Sequence, residues 1–271
     1  MSSQDFAPPA RPNASPNRSF PGARAIGALI LREMATSYGR SPGGYIWAIL
    51  EPVAGIALLT IVFSGFLRSP GLGVSFPIFY ATGMMPFMMY MGTQGKVASA
   101  LKYSKPLLAY PTVTFVDAIL GRFILDVMTK LLVSYIVFGG IMIAFETRTI
   151  PDYPLILEAF ALAALLGAGI GTLNCFLFTR FPLFQQAWGI LTRPLFILSC
   201  IFYLYDTVAE PFRSYLWYNP LIHIVGLMRK GFYPTYDATY VSRFYVLTIS
   251  LVCLAVGMLL LRRFHTDLMH R

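Results

Sequence analysis

Apolar residues fall into six long blocks, at about residues 46–67, 77–95, 119–145, 155–179, 186–206 and 243–263. Each is long enough, at 1.5 Å per residue, to cross roughly 30 Å of hydrocarbon as a helix. The third helical pattern runs from Phe115 to Phe145. Its length of about 46 Å exceeds a bilayer core, so its first turns, with Arg122, project beyond the hydrocarbon. A seventh apolar stretch, residues 214–228, would span only about 22 Å. Asn219-Pro220 interrupts it, which predicts a re-entrant or interfacial helical pair rather than a crossing. Ahead of the first block, Ile26, Leu29, Ile30 and Met34 share one helical face, with Arg24 and Arg32 on another. Ser41-Pro42-Gly43-Gly44 then breaks that amphipathic helix. The expected fold is an all-α integral membrane protein: six transmembrane helices, an N-terminal amphipathic interfacial helix and a re-entrant segment before the last helix.

Composition agrees. Only 12% of the 271 residues are charged and 56% are hydrophobic, whereas soluble domains carry about 25% charge. The net charge of +9 does not signal nucleic acid, because the basic residues sit mainly at span ends. With both termini placed in the cytoplasm, thirteen Lys and Arg fall in inside segments and six outside; Lys130 and Arg193 lie within spans. That bias favours an even number of crossings. Residues 1–22, rich in Pro, Ser, Asn and Arg, read as a disordered cytoplasmic tail, followed by one membrane domain over 23–271. Cys175, Cys200 and Cys253 all lie in apolar runs without paired or metal-ligand spacing.

Candidate chemistry is sparse. The sequence has no G-x-x-x-x-G-K-[ST] phosphate loop, no G-x-G-x-x-G, no H-E-x-x-H and no G-x-S-x-G. No catalytic, cofactor or metal residues are expected, and an energy source must lie in another chain or an ion gradient. The amphipathic helix is either a membrane-surface anchor or a docking element for a cytoplasmic partner. Glu51 costs about 2.5–3.5 kcal/mol in a membrane helix unless it is satisfied. Its place near the helix start offers interfacial water and a favourable dipole; lining a pathway is the alternative. Arg122, Asp126 and Lys130, four apart, form either a self-neutralising ladder or a set that pairs with neighbouring helices. Arg193-Pro194 predicts a kink in the fifth span, with Arg193 facing protein or water. Phe76, Phe79, Tyr80, Phe87 and Tyr90 share an arc of the second span, and Phe184, Trp188, Phe196, Phe202 and Tyr203 a stripe on the fifth. Such rings either pack or provide a slide for sugars. Ala163, Gly167 and Gly171 mark a close helix-packing face.

Tyr38-Gly39-Arg40-Ser41 with Gly44, Trp47, Glu51 and Pro52 resembles the start of ABC-2-type exporter permeases. The later Asn219-Pro220-Leu221, His223, Arg229 and Gly231-Phe232-Tyr233-Pro234, and the closing LLLRRF at Leu259–Phe264, match the same family. Within it, the chain looks most like permeases that export capsular polysaccharide across the bacterial inner membrane. Pro42-Gly43 departs from the basic and apolar residues usual there. The resemblance implies a homodimer paired with separate ATP-binding subunits, which would bind ATP and Mg, a lipid-linked polysaccharide cargo, and periplasmic or outer-membrane export partners. It places Arg24, Arg32, Glu33, Arg40, Lys102 and Lys105 against the ATPase. It puts the segment with Asn219, Pro220, His223 and Tyr233 at an external gate, while the charge and aromatic patterns themselves offer Trp47, Glu51, Tyr80, Phe87, Tyr90, Trp188, Arg193, Phe196 and Tyr203 as the pathway. Rival readings are an ABC-2 exporter of O-antigen, teichoic-acid-like polymer or another lipophile, and a membrane glycan polymerase or transferase.

Overall fold

A computed structural model describes residues 21–37, 44–108 and 114–269. They form helices α1 (Pro21–Ser37), α2 (Tyr45–Phe66), α3 (Phe76–Ala98), α4 (Ala100–Leu108), α5 (Phe115–Ala144) and α6 (Tyr153–Arg180). The chain continues through α7 (Pro182–Thr192), α8 (Leu195–Leu198), a 3-10 turn at Tyr205–Thr207, α9 (Phe212–Leu216), α10 (Pro220–Phe232) and α11 (Arg243–Met269). There is no strand among the described residues. Among the described residues, four helical stretches are long and apolar enough to cross a membrane: Ile46–Phe66, Phe115–Ala144, Tyr153–Arg180 and Arg243–Phe264.

Local chemistry fixes the helix starts. Thr114 Oγ1 accepts from the Asp117 N–H at 3.2 Å, while Asp117 Oδ2 accepts from the Thr114 N–H at 2.9 Å, a reciprocal capping box that opens α5. Asp152 caps α6 through the Leu155 N–H. Asn219 caps α10 through the Leu221 N–H at 3.1 Å, with Pro220 in the first turn where its missing N–H costs nothing.

α3 is the hub. Seventeen of its 23 residues are buried, so it presents no solvent- or lipid-facing stripe and packs on α5, α6, α10 and α2. The small-residue face expected on α6 is where α3 lies: a Cβ on Gly167 would come within 2.9 Å of Thr93 Cβ, and one on Gly171 within 2.9 Å of the Gln94 carbonyl oxygen. The other side of α6 meets α11 as closely, for a Cβ on Gly257 would reach 2.6 Å from the Leu173 nitrogen. Backbones in such contact gain dispersion that bulkier residues would forbid. The outer helix surfaces are apolar and open, as at Ile61, Tyr135 and Ile143. Patches of this extent suit lipid better than water.

Two expectations are sharpened. The fifth block does not continue as one kinked helix. It stops at Arg193-Pro194, restarts for four residues as α8, and runs on irregularly to the 3-10 turn. Pro194 has no N–H to give and its ring displaces the preceding turn. The loop after α3 instead contains a helix, α4. The Pro42-Gly43 break and the tail up to residue 20 lie outside the described residues.

Candidate functional site

The first candidate site is the junction of α1 with the bundle. Leu29 and Ile30 pack over Gly121 of α5, where a Cβ would sit 3.4 Å from Leu29 Cβ. That face carries a carboxylate inward. Glu33 Oε1 accepts from Arg122 Nη2 at 2.8 Å, and Lys96 Nζ lies 3.7 Å away. Arg122 also donates to Ser99 Oγ at 3.0 Å and stands 4.3 Å over the Tyr103 ring. One guanidinium thus ties α1 to α5, to the end of α3 and to α4. Only 6% of the Arg122 side chain and 13% of the Glu33 side chain are exposed, so this pair is largely removed from solvent. Asp126, one turn further on, accepts from Thr93 Oγ1 of α3 at 3.1 Å. Arg122 and Asp126 are thus both bonded across helices, while Lys130 on the same helix adds a favourable charge beside Asp126.

Of the residues expected to meet a cytoplasmic partner, Arg32, Lys102 and Lys105 are exposed, whereas Glu33 turns into the bundle. Arg24 lies within α1, and Arg40 lies outside the described residues. The inward turn of Glu33 had a signal in the sequence. Ile26, Leu29, Ile30 and Glu33 follow the i, i+3, i+4, i+7 positions of one helical face.

Expected pathway residues separate into two groups. Tyr80, Phe87 and Tyr90 are buried in the α3 core, where Tyr80 meets Phe63 and Phe87 meets Phe196 at 5.3 Å between ring centroids. These rings fill the subunit's own interior. Trp47 and Glu51 on α2 and Arg193 beyond α7 are exposed, while Trp188, Phe196 and Tyr203 are half-buried. Glu51 is the seventh residue of α2, past the first turn. A helix-dipole effect has largely decayed there, so the favourable placement expected for it is weaker than the sequence implied.

The second candidate site is the cap around α9 and α10. His223 Nδ1 accepts from the Ser242 N–H at 3.1 Å and Nε2 lies 2.9 Å from the Trp217 carbonyl oxygen. Together these assign the neutral tautomer with its proton on Nε2. Trp217 Nε1 donates to the Tyr240 carbonyl at 3.2 Å, and Tyr245 O–H to the Tyr218 carbonyl at 2.8 Å. Asn219 Nδ2 donates to the Leu198 carbonyl at 3.1 Å. Asn219, Pro220 and His223 thus belong to one knitted unit, and Tyr233 is buried at the far end of α10.

Sequence reading missed the centre of this cap. Arg229, one of the six Lys and Arg counted in outside segments, is wholly buried. It donates from Nη1 to the Tyr203 carbonyl at 2.9 Å and from Nη2 to the Ile201 carbonyl at 3.0 Å, over the Phe79 ring at 4.5 Å. Nearby, Tyr236 O–H donates to Asp206 Oδ2 at 3.0 Å. The signal available was the helical reach of α10, which carries Arg229 along with the apolar face that starts at Leu221.

The arrangement contains two polar ends joined by a tightly packed helical core. Comparison with known proteins supplies the family. The ABC-2 type transporter family matches residues 24–233. The chain is 31% identical to the polysialic acid transport protein KpsM of Escherichia coli, over 88% of this chain and 92% of that one. It is 28% identical to the capsule polysaccharide export inner-membrane protein CtrC of Neisseria meningitidis serogroup B, over 89% and 91%. To BexB of Haemophilus influenzae, with the same description, it is 26% identical over 89% and 91%. The chain belongs to the ABC-2 type transporter family.

Proposed function

We propose that this chain is the membrane-spanning permease of a transporter that exports a lipid-linked capsular polysaccharide across the bacterial inner membrane. The observation that carries this reading is the match, nearly end to end on both chains, to a polysialic acid transport protein. The permease does no bond chemistry. ATP and Mg are bound by a separate ATP-binding subunit, in keeping with the missing phosphate loop. Two copies of this chain work with that partner and hand the polymer to periplasmic and outer-membrane proteins.

In this reading α3 and the broken α7–α8 segment complete six crossings, α9 and α10 form the re-entrant pair, and both termini are cytoplasmic. Arg24, Arg32, Arg40, Lys102 and Lys105 meet the ATPase. Glu33 passes the resulting displacement inward, to Arg122. Trp47, Glu51, Trp188, Arg193, Phe196 and Tyr203 border the path, and the unit around Asn219, Pro220, His223 and Tyr233 closes its outer end.

Deleting the chain should leave the polymer inside the cell and strip it from the surface, with re-expression restoring export. Purification should recover the ATP-binding subunit at stoichiometry, and Arg32→Glu with Lys102→Glu and Lys105→Glu should lose it while membrane insertion persists. Glycan synthesis by the isolated chain, or normal surface capsule in its absence, would overturn the proposal.

A further inference from the structure

We infer that the groove between α8, the 3-10 turn and α9 is a docking subsite for sugar rings, resting on the export reading above. The groove encloses about 850 Å³ and is open on one side. This falls within the roughly 300–1,000 Å³ common for small-ligand sites. Its defining residues are Leu198, Tyr203, Phe212, Tyr215, Tyr218 and Asn219. Among the described residues that line it, none is charged.

That lining selects among occupants. A phosphate-bearing headgroup calls for a cation, and none lines the groove. An acyl chain has no use for phenol hydroxyls, yet three tyrosines stand there. Sugar rings present apolar C–H faces and peripheral hydroxyls together, and tyrosine offers a flat apolar ring with a polar tip. Phe212, Tyr215 and Tyr218 are 68%, 71% and 67% exposed, so their faces are available rather than spent on the core.

The walls are held in place beforehand. Asn219 is bonded to the Leu198 carbonyl, and the Tyr203 hydroxyl donates to the Ile197 carbonyl at 3.1 Å. Beneath them, the buried Arg229 pins the Tyr203 carbonyl. On the α9 side, Glu210 Oε1 accepts from Arg213 Nε at 2.9 Å and Oε2 from Ser214 Oγ at 2.7 Å. Rings held by such a frame bind with little ordering cost. The groove also continues an aromatic row: Tyr203 follows Phe202, which meets Phe196 edge-on at 5.1 Å, and Phe196 meets Phe87.

The test uses the full chain with its ATP-binding partner in lipid nanodiscs, titrated with a sialic acid oligomer and with maltohexaose, both read by saturation-transfer NMR. Transfer should reach the sugar C–H protons of at least one oligomer. Tyr215→Ala with Tyr218→Ala should weaken that binding by about tenfold, whereas Tyr215→Phe with Tyr218→Phe should stay within about threefold, because the ring faces persist. Both side chains are exposed, with Tyr218 giving up its edge-on contact with Trp217, and unchanged melting temperatures will verify that the fold persists. Absence of binding by both oligomers overturns the inference, as does binding indifferent to the alanine pair. So does displacement of the sugar signal by acyl-chain probes with equal dependence on the tyrosines, which would make the groove a lipid site. Capsule export is scored separately in cells, so a silent groove in an exporting protein defeats the subsite and leaves the transport reading intact.

Discussion

Arg122→Ala should loosen the junction of α1 with the bundle far more than Lys96→Ala, although both lysine and arginine face Glu33. The Arg122 contact is short, 2.8 Å, with 6% and 13% of the two side chains exposed. Removing one member of a largely buried pair costs about 3–5 kcal/mol, because the other is left uncompensated. Glu33 keeps Lys96 in this variant, at 3.7 Å. The estimate therefore sits at the low end, near 3 kcal/mol. Lys96 is 36% exposed and its contact is long, so its loss should cost no more than about 1 kcal/mol. With about 2–4 °C per kcal/mol for a chain of this size, the expected drops are about 6–12 °C for Arg122→Ala and under about 4 °C for Lys96→Ala. Thermal melts of the purified permease in nanodiscs measure them. A double-mutant cycle on Glu33→Ala and Arg122→Ala should give a coupling of about 0.5–3 kcal/mol. Spin labels on α1 and α5 should report a broadened distance in each single variant. Equal melting of the two cation variants, or strict additivity in the cycle, would refute the argument that one buried pair docks the helix.

Gly257→Ala should depress folded yield sharply, since its Cβ meets the Leu173 backbone at 2.6 Å, while Gly139→Ala, with nothing within 4 Å, should behave as wild type in size-exclusion profiles. Arg229→Lys keeps the charge but cannot span the Ile201 and Tyr203 carbonyls together; loss of one charged hydrogen bond predicts about 1.5–3 kcal/mol of destabilisation in the same melts. Hydrogen bonds from Ser214 and Arg213 hold the Glu210 carboxyl below its ordinary range. A depressed carboxylate stabilises above its unfolded pKa of about 4.3 and loses that effect as pH falls through the lower folded value. The frame on the α9 side should therefore weaken once the pH falls well below the ordinary carboxylate range, and sugar binding to the groove should weaken with it. Glu210→Gln should be weaker at neutral pH and flat across that window, which a pH series of the titration will read.

The helical frame was legible because hydrophobic blocks and their breakers are local. α2, α5 and α6 begin and end within a few residues of the expected blocks, and Pro194 and Asn219-Pro220 interrupt the chain where proline chemistry demands. Gly167 and Gly171 could be assigned a packing face because small residues four apart have few other uses in a membrane helix. Pairings between distant residues were not legible. Glu33 and Arg122 stand 89 positions apart, and nothing in either neighbourhood names the other. Arg229 misled for a different reason: its partners are backbone carbonyls, which leave no trace in residue type. Aromatic stripes carried the least information, since Tyr80 and Tyr215 look alike in sequence yet one is sealed in the core and the other open.

The glycine contacts of α6 have a mechanical consequence. Where α3, α6 and α11 touch backbone to backbone, there is no layer of side chains to shear, so these three helices must travel as a single stiff block. Shape change during a transport cycle is left to the parts joined less closely: α1 through its ion pair and the looser seat on Gly121, α2 along an apolar flank beside α5, and the interrupted α7–α8 arm. A label-to-label distance between α6 and α11 should hold constant with and without nucleotide on the partner, while one between α2 and α6 should change. The block supplies the fixed frame against which those arms do their work.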